Sequence, residues 1–409
     1  IEATEQKVTI TISEDICTDS GGSNLTGLLS SDKTLYKSCS PYTVTGNLWI
    51  KSGATLTVDN GVTINVNDSK YIKVDGDLII KPGATLNFGN AAYLDVNDGK
   101  LDAQGTVSDS ISFTGSSSGT SFTIRRAIIK YAKIDVRFTI FNSEILNSRI
   151  SNPNTDHHFV MNDNSKLKNS KIHNIWRIVI SGDSEMSGCE IYDVGGVGPS
   201  SSNSSIYIDG GTGKATVKNN RIYSTKNSNY YISTLIDVFD SDAIIENNII
   251  NHNNSFNKSD IGIKFSNNKI STFKNNQIGG FRRNIKIIGG NSNHIIKYNS
   301  FIGEMNLASG HRNVVIEGGN YPQDEVAVDM KENYWGNVDA ADINNSITDF
   351  EDDFELKGNV DFSNALSSPH PGTPISSVKN LKVTRLASST ELTWDANVET
   401  DLAGYKVHY

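Results

Sequence analysis

Seven stretches of the chain spell one six-residue pattern: an apolar residue, two spacers, a small polar residue, one spacer and a second apolar residue. They begin at Leu167 (LKNSKI), Met186 (MSGCEI), Val217 (VKNNRI), Ile245 (IENNII), Phe273 (FKNNQI), Ile296 (IKYNSF) and Met330 (MKENYW). The fourth position, the anchor, falls on Ser170, Cys189, Asn220, Asn248, Asn276, Asn299 and Asn333, and looser copies add Ala132 and Ser148. Successive anchors lie as few as 16 residues apart (132 to 148) and as many as 34 (299 to 333), a range that signals a solenoid. A chain winding into stacked coils would repeat one strand–corner–strand per coil, with the apolar residues stacked inside and the anchors stacked at the corner. Asparagine suits such a corner because its amide bonds neighbouring backbone and it tolerates left-handed dihedrals. Identical stacked amides can also bond in a ladder. Variable spacing is compatible with superposed cores, since extra residues bulge outward as loops, which commonly carry function. The longest excursions are 195–205, 223–233 and 251–260.

The first third repeats differently. Residues 46–68 (GNLWIKSGATLTVDNGVTINVND) align without a gap on 76–98 (GDLIIKPGATLNFGNAAYLDVND), an offset of 30 (46 to 76). Alternation in ATLTV and VTINV has period two, so these are short strands with one buried face, punctuated by Gly and Asn-Asp turns. A helical reading fails because β-branched residues dominate and no 3.6-residue stripe persists.

Composition narrows the function classes. The net charge of −9 over 409 residues argues against a nucleic-acid surface as the main activity. No apolar run is long enough for a membrane-spanning helix. The chain begins at Ile1 without a basic-then-apolar leader, which reads as a mature exported protein, extracellular or on the cell surface; a trimmed chain is the alternative. Cys17 and Cys39 bracket a Gly/Ser-rich stretch. Paired, they would close a loop of about 20 residues and stabilise by roughly 3 kcal/mol; two unrelated thiols are the alternative, because geometry cannot be read from sequence. Cys189 occupies an anchor slot and reads as an inert buried side chain.

These repeats resemble the right-handed parallel β-helix proteins, the pectate-lyase-like superfamily in its broad sense. SPYTVTGNLWIKSGATLTVDNGVTI (40–64) is similar to the opening coils of secreted bacterial β-helices, and ENYWGNVDAADINNSI (332–347) to their closing segment. Residues 378–409 resemble the first three strands of a fibronectin type III domain, with Trp394 in the second and GYKVHY (404–409) as the third. The expected fold is all-β: an N-terminal cap (1–40), a parallel β-helix (41–337), a C-terminal cap and linker (338–370) and a partial fibronectin-like sandwich (371–409). Three strands leave Leu381, Val383, Leu392, Trp394 and Val407 as an apolar surface with open edges. Either the polypeptide continues, or a neighbouring chain completes the sandwich by strand addition, with the alternating KVTITIS (7–13) as donor and a homo-oligomer or filament as the product.

The resemblance specifies fold and leaves activity open, because this architecture hosts lyases, hydrolases, adhesins and scaffolds. A polygalacturonase-like hydrolase would need paired carboxylates on one face; NTDHH (154–158), SGHR (309–312) and DVFDSD (237–242) are only fragments of that motif set. A uronate lyase would need a cation and a base, for which Arg282, Arg283, Lys286, the pair His157 and His158, and Lys166, Lys168 and Lys171 are the candidates. Solvated strand faces also show alternating basic residues. Asp349, Asp352 and Asp353 in DFEDDFE offer carboxylates for Ca²⁺, against the commoner reading of a solvated acidic run. Trp176, Tyr230 and Tyr231 are the aromatics to test as sugar platforms. A flat ice- or glycan-binding array would need continuous outward Thr, which only ATLTV and VTINV suggest. The reading reached is a non-enzymatic structural or adhesive surface protein, self-assembling or polysaccharide-binding, with a polysaccharide-active enzyme as the alternative.

Overall fold

The computed structural model describes residues 24–115, 121–135, 137–151, 158–195, 204–209, 213–224, 234–252, 261–266, 269–289, 293–302, 307, 310–317, 326–336, 339–356, 358–375, 378–397 and 399–407. Cys17, His157, Tyr230, Tyr231 and the segment 7–13 lie outside the described residues.

Short parallel strands stack into a right-handed β-helix with three faces, the hand that parallel crossovers adopt. One coil shows the order: Thr216–Lys218 on face III, Arg221–Ser224 on face I, Thr234–Phe239 on face II, then Ile244–Glu246 again on face III. Face III is a 12-stranded parallel sheet, one strand per coil. Faces I and II are joined at the first coil by one continuous strand, Tyr42–Ile50, which pairs with Ile64–Val66 on face I and Ile72–Val74 on face II.

Coil neighbours in the first third are 22 residues apart, as in Thr63↔Thr85 and Tyr71↔Tyr93. The 30-residue sequence match is therefore not the coil repeat. It aligns Thr55–Val58 on face III with Thr85–Phe88 on face I, one coil plus one face further on. All three faces there use the same strand–turn unit, so the sequence matches itself out of phase with the winding.

Alternation buries one side of each strand. On face II the inward column runs Phe122, Phe138, Phe159, Ile178, Ile206, Ile236, Ile263 and Ile285, all essentially inaccessible. Phe88, Phe122 and Phe138 continue edge-on or tilted, with centroids 4.5 and 5.6 Å apart. Each such side chain contributes about 1.5–3 kcal/mol relative to exposure.

The anchors stand between faces III and I and bond to one another. The Asn248 side-chain oxygen accepts from both the backbone N–H and the Nδ2 of Asn220, at 2.9 and 3.0 Å. Its own Nδ2 donates to Val217 O and to Asn276 Oδ1, each at 2.9 Å. The same pattern links Asn276 to Asn299 and Asn299 to Asn333. Upstream the rungs are serines: Ala132 N–H donates to Ser148 Oγ and Ser148 N–H to Ser170 Oγ, both at 3.1 Å. Cys189 joins the two regimes, its N–H donating to Asn220 Oδ1 at 2.9 Å. Burial pushes its thiol up to about 11, which keeps it protonated and inert.

The left-handed residue of each corner is not the anchor but the residue before it. Asn169, Gly188, Asn219, Asn247, Asn275, Tyr298 and Glu332 have φ of 49, 64, 56, 57, 53, 59 and 60°. Two demands of the corner, a positive φ and a buried amide, thus fall on adjacent positions. A second small-residue file lies between faces II and III: Ser143 N–H donates to Ser165 Oγ at 3.5 Å, and the file ends with Ser271 N–H donating to His294 Nδ1 at 3.2 Å.

After the last coil, the helix Ala340–Asn345, capped by the Asp339 carboxylate, leads into Ile347–Thr348, which pairs with Val314–Val315. Trp335 stacks on Phe301 at 4.6 Å beneath Phe362. The tail then runs back along the solenoid, with His370 stacked on Tyr298 at 4.3 Å and Thr373 Oγ1 donating to Tyr298 O. Beyond it Lys379–Arg385 and Thr390–Asp395 form an antiparallel hairpin. The expected third strand is not formed, since 402–407 is irregular. With no facing sheet, a third strand would gain edge hydrogen bonds but bury no apolar layer, and Leu381, Val383 and Val407 are 52, 62 and 52% exposed.

Two outcomes follow from the corners. Asn248→Ala strands four buried hydrogen-bonding groups on three neighbouring coils and should cost about 3 kcal/mol or more. Asn247→Gly, which relieves the positive φ, should stay within about 1 kcal/mol of the parent; equal melting temperatures for the two variants would refute this division of roles. Burial holds His294 down to about 4 from 6.5. As pH falls from 6.5 the unfolded chain takes a proton that the folded chain refuses, so stability is lost between pH 6.5 and 4, by about 3 kcal/mol in total. His294→Ser should flatten that loss in urea titrations at pH 7 and pH 4.5.

Candidate functional site

Register decides which outward side chains meet. On face II the central outward column reads Tyr207, Asp237, Lys264, Lys286 and Val315 in consecutive coils. The column beside it reads Asp209, Phe239, Ser266, Ile288 and Glu317. Lys264 Nζ lies 2.7 Å from Asp237 Oδ2, and Lys286 Nζ lies 2.6 Å from Glu317 Oε2. Asp237 is only 8% exposed. Burial raises its carboxyl against the opposing pull of Lys264 and Arg177. The Arg177 guanidinium sits over the Tyr207 ring at 5.4 Å, and Tyr207 stacks with Phe239 at 6.1 Å. Burial, then Asp209 and Asp237, raise the Tyr207 hydroxyl. Phe239 is 48% exposed, a large ring left at the surface beside charged groups.

Nearer the corner with face I, the outward positions are small or amide: Ser205, Gly262, Asn284 and Asn313. Asn284 Nδ2 donates to Asn313 Oδ1 at 2.7 Å, and Asn313 Nδ2 to Ser346 Oγ at 3.2 Å. Three buried polar atoms of this face, Asp237 Oδ1, Asn284 Oδ1 and Ser204 Oγ, have no hydrogen-bond partner. Native interiors leave few such atoms unmatched. The segments 196–203, 225–233 and 253–260, which lie outside the described residues, all connect face I to face II in the coils that carry this cluster.

Face I carries an aromatic strip of different character. His173, Tyr192 and Tyr223 stack at 4.9 and 5.4 Å with interplanar angles of 11 and 12°. Arg149 Nε donates to His173 Nε2 at 2.9 Å, and Tyr223 OH donates to Glu190 Oε1 at 2.7 Å. Burial and Glu190 push the Tyr223 hydroxyl up to about 12, while Tyr223 and Lys171 hold the Glu190 carboxyl down. These rings cover one another's faces, so the strip is a cross-strand ladder that stabilises the coils.

Among the sequence candidates, Lys286 joins the face II cluster. Arg283 sits opposite Arg312 at the start of the same strand pair, and Arg282 lies one residue before it, exposed. His158 opens a face II strand opposite Arg177, its ring 6.0 Å from Trp176. Lys166 and Lys168 belong to face III and Lys171 to face I, so that trio divides across a corner. Outward Thr63 and Thr85 are followed by Ser112, Lys133 and Arg149, so no flat threonine array continues. The carboxylates of the acidic run are used locally. Asp349 accepts from Glu351 N and Val360 N, Asp352 from Asp349 N, and Asp353 from Glu355 N. Among the described residues no three His, Cys, Asp or Glu side chains form a group that could hold a metal ion.

Sequence reasoning missed Lys264, Glu317, Arg177 and Tyr207, and placed Asp237 only in an acidic fragment. The signal that finds them is the coil register: aligning the anchors puts 237, 264 and 286 at the same outward position.

No protein-family model matches the chain, and no curated protein matches it. Solved structures of similar fold include a mutant tailspike protein of E. coli bacteriophage HK620 in complex with a pentasaccharide, at 12% identity and TM-score 0.31, covering 77% of this chain. The chain spans 64% of that tailspike's length. The Dettilon tailspike protein matches at 14% identity and TM-score 0.28 over 90% of this chain and 68% of its own. PfbA, a surface adhesin of Streptococcus pneumoniae, matches at 11% identity and TM-score 0.24 over 93% of this chain and 92% of its own. At this level of similarity none of them bears on what this chain binds.

Proposed function

We propose that the chain is an adhesive β-helix of the cell exterior that holds an oligosaccharide lengthwise along face II. The observation that carries this reading is the combination, on one face, of buried polar atoms without partners and an exposed aromatic ring. Asp237 Oδ1, Asn284 Oδ1 and Ser204 Oγ are unmatched beside Phe239 and Tyr207. A sugar offers both complements, hydroxyls for the unmatched acceptors and donors, and an apolar C–H face for the rings. Rungs repeating every ~4.8 Å give an extended chain a series of equivalent contacts. The C-terminal hairpin, with its fibronectin-like sequence, serves in this reading as the start of a spacer or adhesive module.

A second reading, a polysaccharide-active enzyme, draws on one observation: burial raises the Asp237 carboxyl within the same cluster, as a group that exchanges protons with a substrate requires.

Glycan-array screening followed by calorimetry should find a bound oligosaccharide. Phe239→Ala and Tyr207→Ala should each weaken it about tenfold, or about 1.4 kcal/mol, without lowering the melting temperature. Tyr192→Ala on face I should do the reverse. Retention of no glycan, or unchanged affinity in both face II variants, would exclude face II as the glycan-binding surface. Assays for new reducing ends and unsaturated products should show no turnover; turnover abolished by Asp237→Asn with binding retained would establish the enzyme instead.

A further inference from the structure

We infer that the Lys264–Lys286 step of face II is a subsite for an anionic sugar substituent, a carboxylate or a sulfate, so that the preferred glycan is acidic. This rests on face II being the glycan-binding surface and adds the ligand's chemical class.

Lys264 and Lys286 are directly opposite in the parallel register, which sets their backbones ~4.8 Å apart. Like charges opposite one another on neighbouring strands destabilise a sheet. Here both side chains are also largely withdrawn from water, with 23 and 13% of the side chain exposed, which weakens solvent screening. Each ammonium has its carboxylate on the outer side of the pair. Asp237 is one coil before Lys264, and Glu317 is one coil after Lys286. The charge order along the axis is therefore minus, plus, plus, minus. Two cations are held together with no anion between them.

An ammonium carries three donors. One is directed to the carboxylate already present, and the others are free to converge on a group seated between the two rungs. A carboxylate or sulfate there would accept charge-assisted hydrogen bonds from both lysines and remove the repulsion between them. A neutral hydroxyl would do neither. The neighbouring column members set the ends of the subsite: Val315 follows Lys286, and Tyr207 precedes Asp237. The rings of Tyr207 and Phe239 would hold the adjoining sugar, and the lysines would read its charge.

The test uses the full chain and three probes of matched length: oligogalacturonate, sulfated dextran oligomers and maltohexaose. The acidic probes should bind at least tenfold more tightly than maltohexaose, with affinity falling as salt rises. Preference between the first two identifies the group as carboxylate or sulfate. Lys286→Gln, which leaves only the partly exposed Glu317 without a partner, should cut acidic binding at least tenfold and flatten the salt dependence, and Lys286→Arg should restore much of it. Equal binding of acidic and neutral probes, with both weakened by Phe239→Ala and neither by Lys286→Gln, would overturn the anionic subsite while leaving face II as the glycan surface. A second readout does not need a bound polymer. Chemical shifts of the Lys264 and Lys286 side chains should move with monomeric galacturonate or sulfate and not with galactose. If neither anion moves them, the inference is wrong whatever the polymers do.

Discussion

Everything in this molecule depends on one buried hydrogen-bonded file, the anchor ladder between faces III and I. Stacked strands satisfy their backbones along each face, but every corner interrupts that pattern and leaves peptide groups facing the interior. At this corner the unmet N–H of one coil is taken by the side-chain oxygen of the next, from Cys189 through Asn220, Asn248, Asn276 and Asn299 to Asn333. A buried donor left without an acceptor costs more than a hydrogen bond contributes, so the ladder fixes the register of every coil it joins.

That fixed register explains why the coils vary in length at other places. Between one anchor and the next the chain must return to the same point above the previous turn. Extra residues can leave only where no ladder constrains them, and in the coils of the face II cluster they leave between faces I and II. The face beside that corner combines features that a purely structural surface avoids: a buried carboxylate, two lysines on adjacent rungs and a half-exposed phenylalanine. Face I, in the same coils, shows the contrasting solution, in which stacked rings and paired charges satisfy one another. Departure from local self-sufficiency is what separates the two faces.

Much of the architecture was legible in the primary sequence, for a physical reason. Burial at the first and last positions of each six-residue word, and the amide between them, are demands of a single corner, so they recur at fixed spacing in every coil. The β-helix follows from that recurrence. Reading the left-handed residue as the anchor itself placed it one position too late, because asparagine satisfies both demands and often occupies both positions, as in Asn219–Asn220 and Asn247–Asn248. The 30-residue repeat misled in a related way, since similar strand–turn units on three faces match one another out of phase. The fibronectin-like third strand was expected from local alternation at 404–409. Alternation, however, marks which side of a strand could be buried and cannot supply the sheet that would bury it.

The candidate site shows the limit most clearly. Sequence alone determined the solenoid, its corner ladder and the positions at which loops leave it, because each is set by residues close together in the chain. Only the tertiary structure decided that Asp237, Lys264, Lys286 and Glu317 form one charged row, since they come from four coils separated by segments of unequal length. Lys166, Lys168 and Lys171 looked equally clustered in sequence, yet a corner turns them onto different faces. A strand's neighbours across a β-helix face are one full coil away, so their identity is fixed by how many residues each coil uses on its way round.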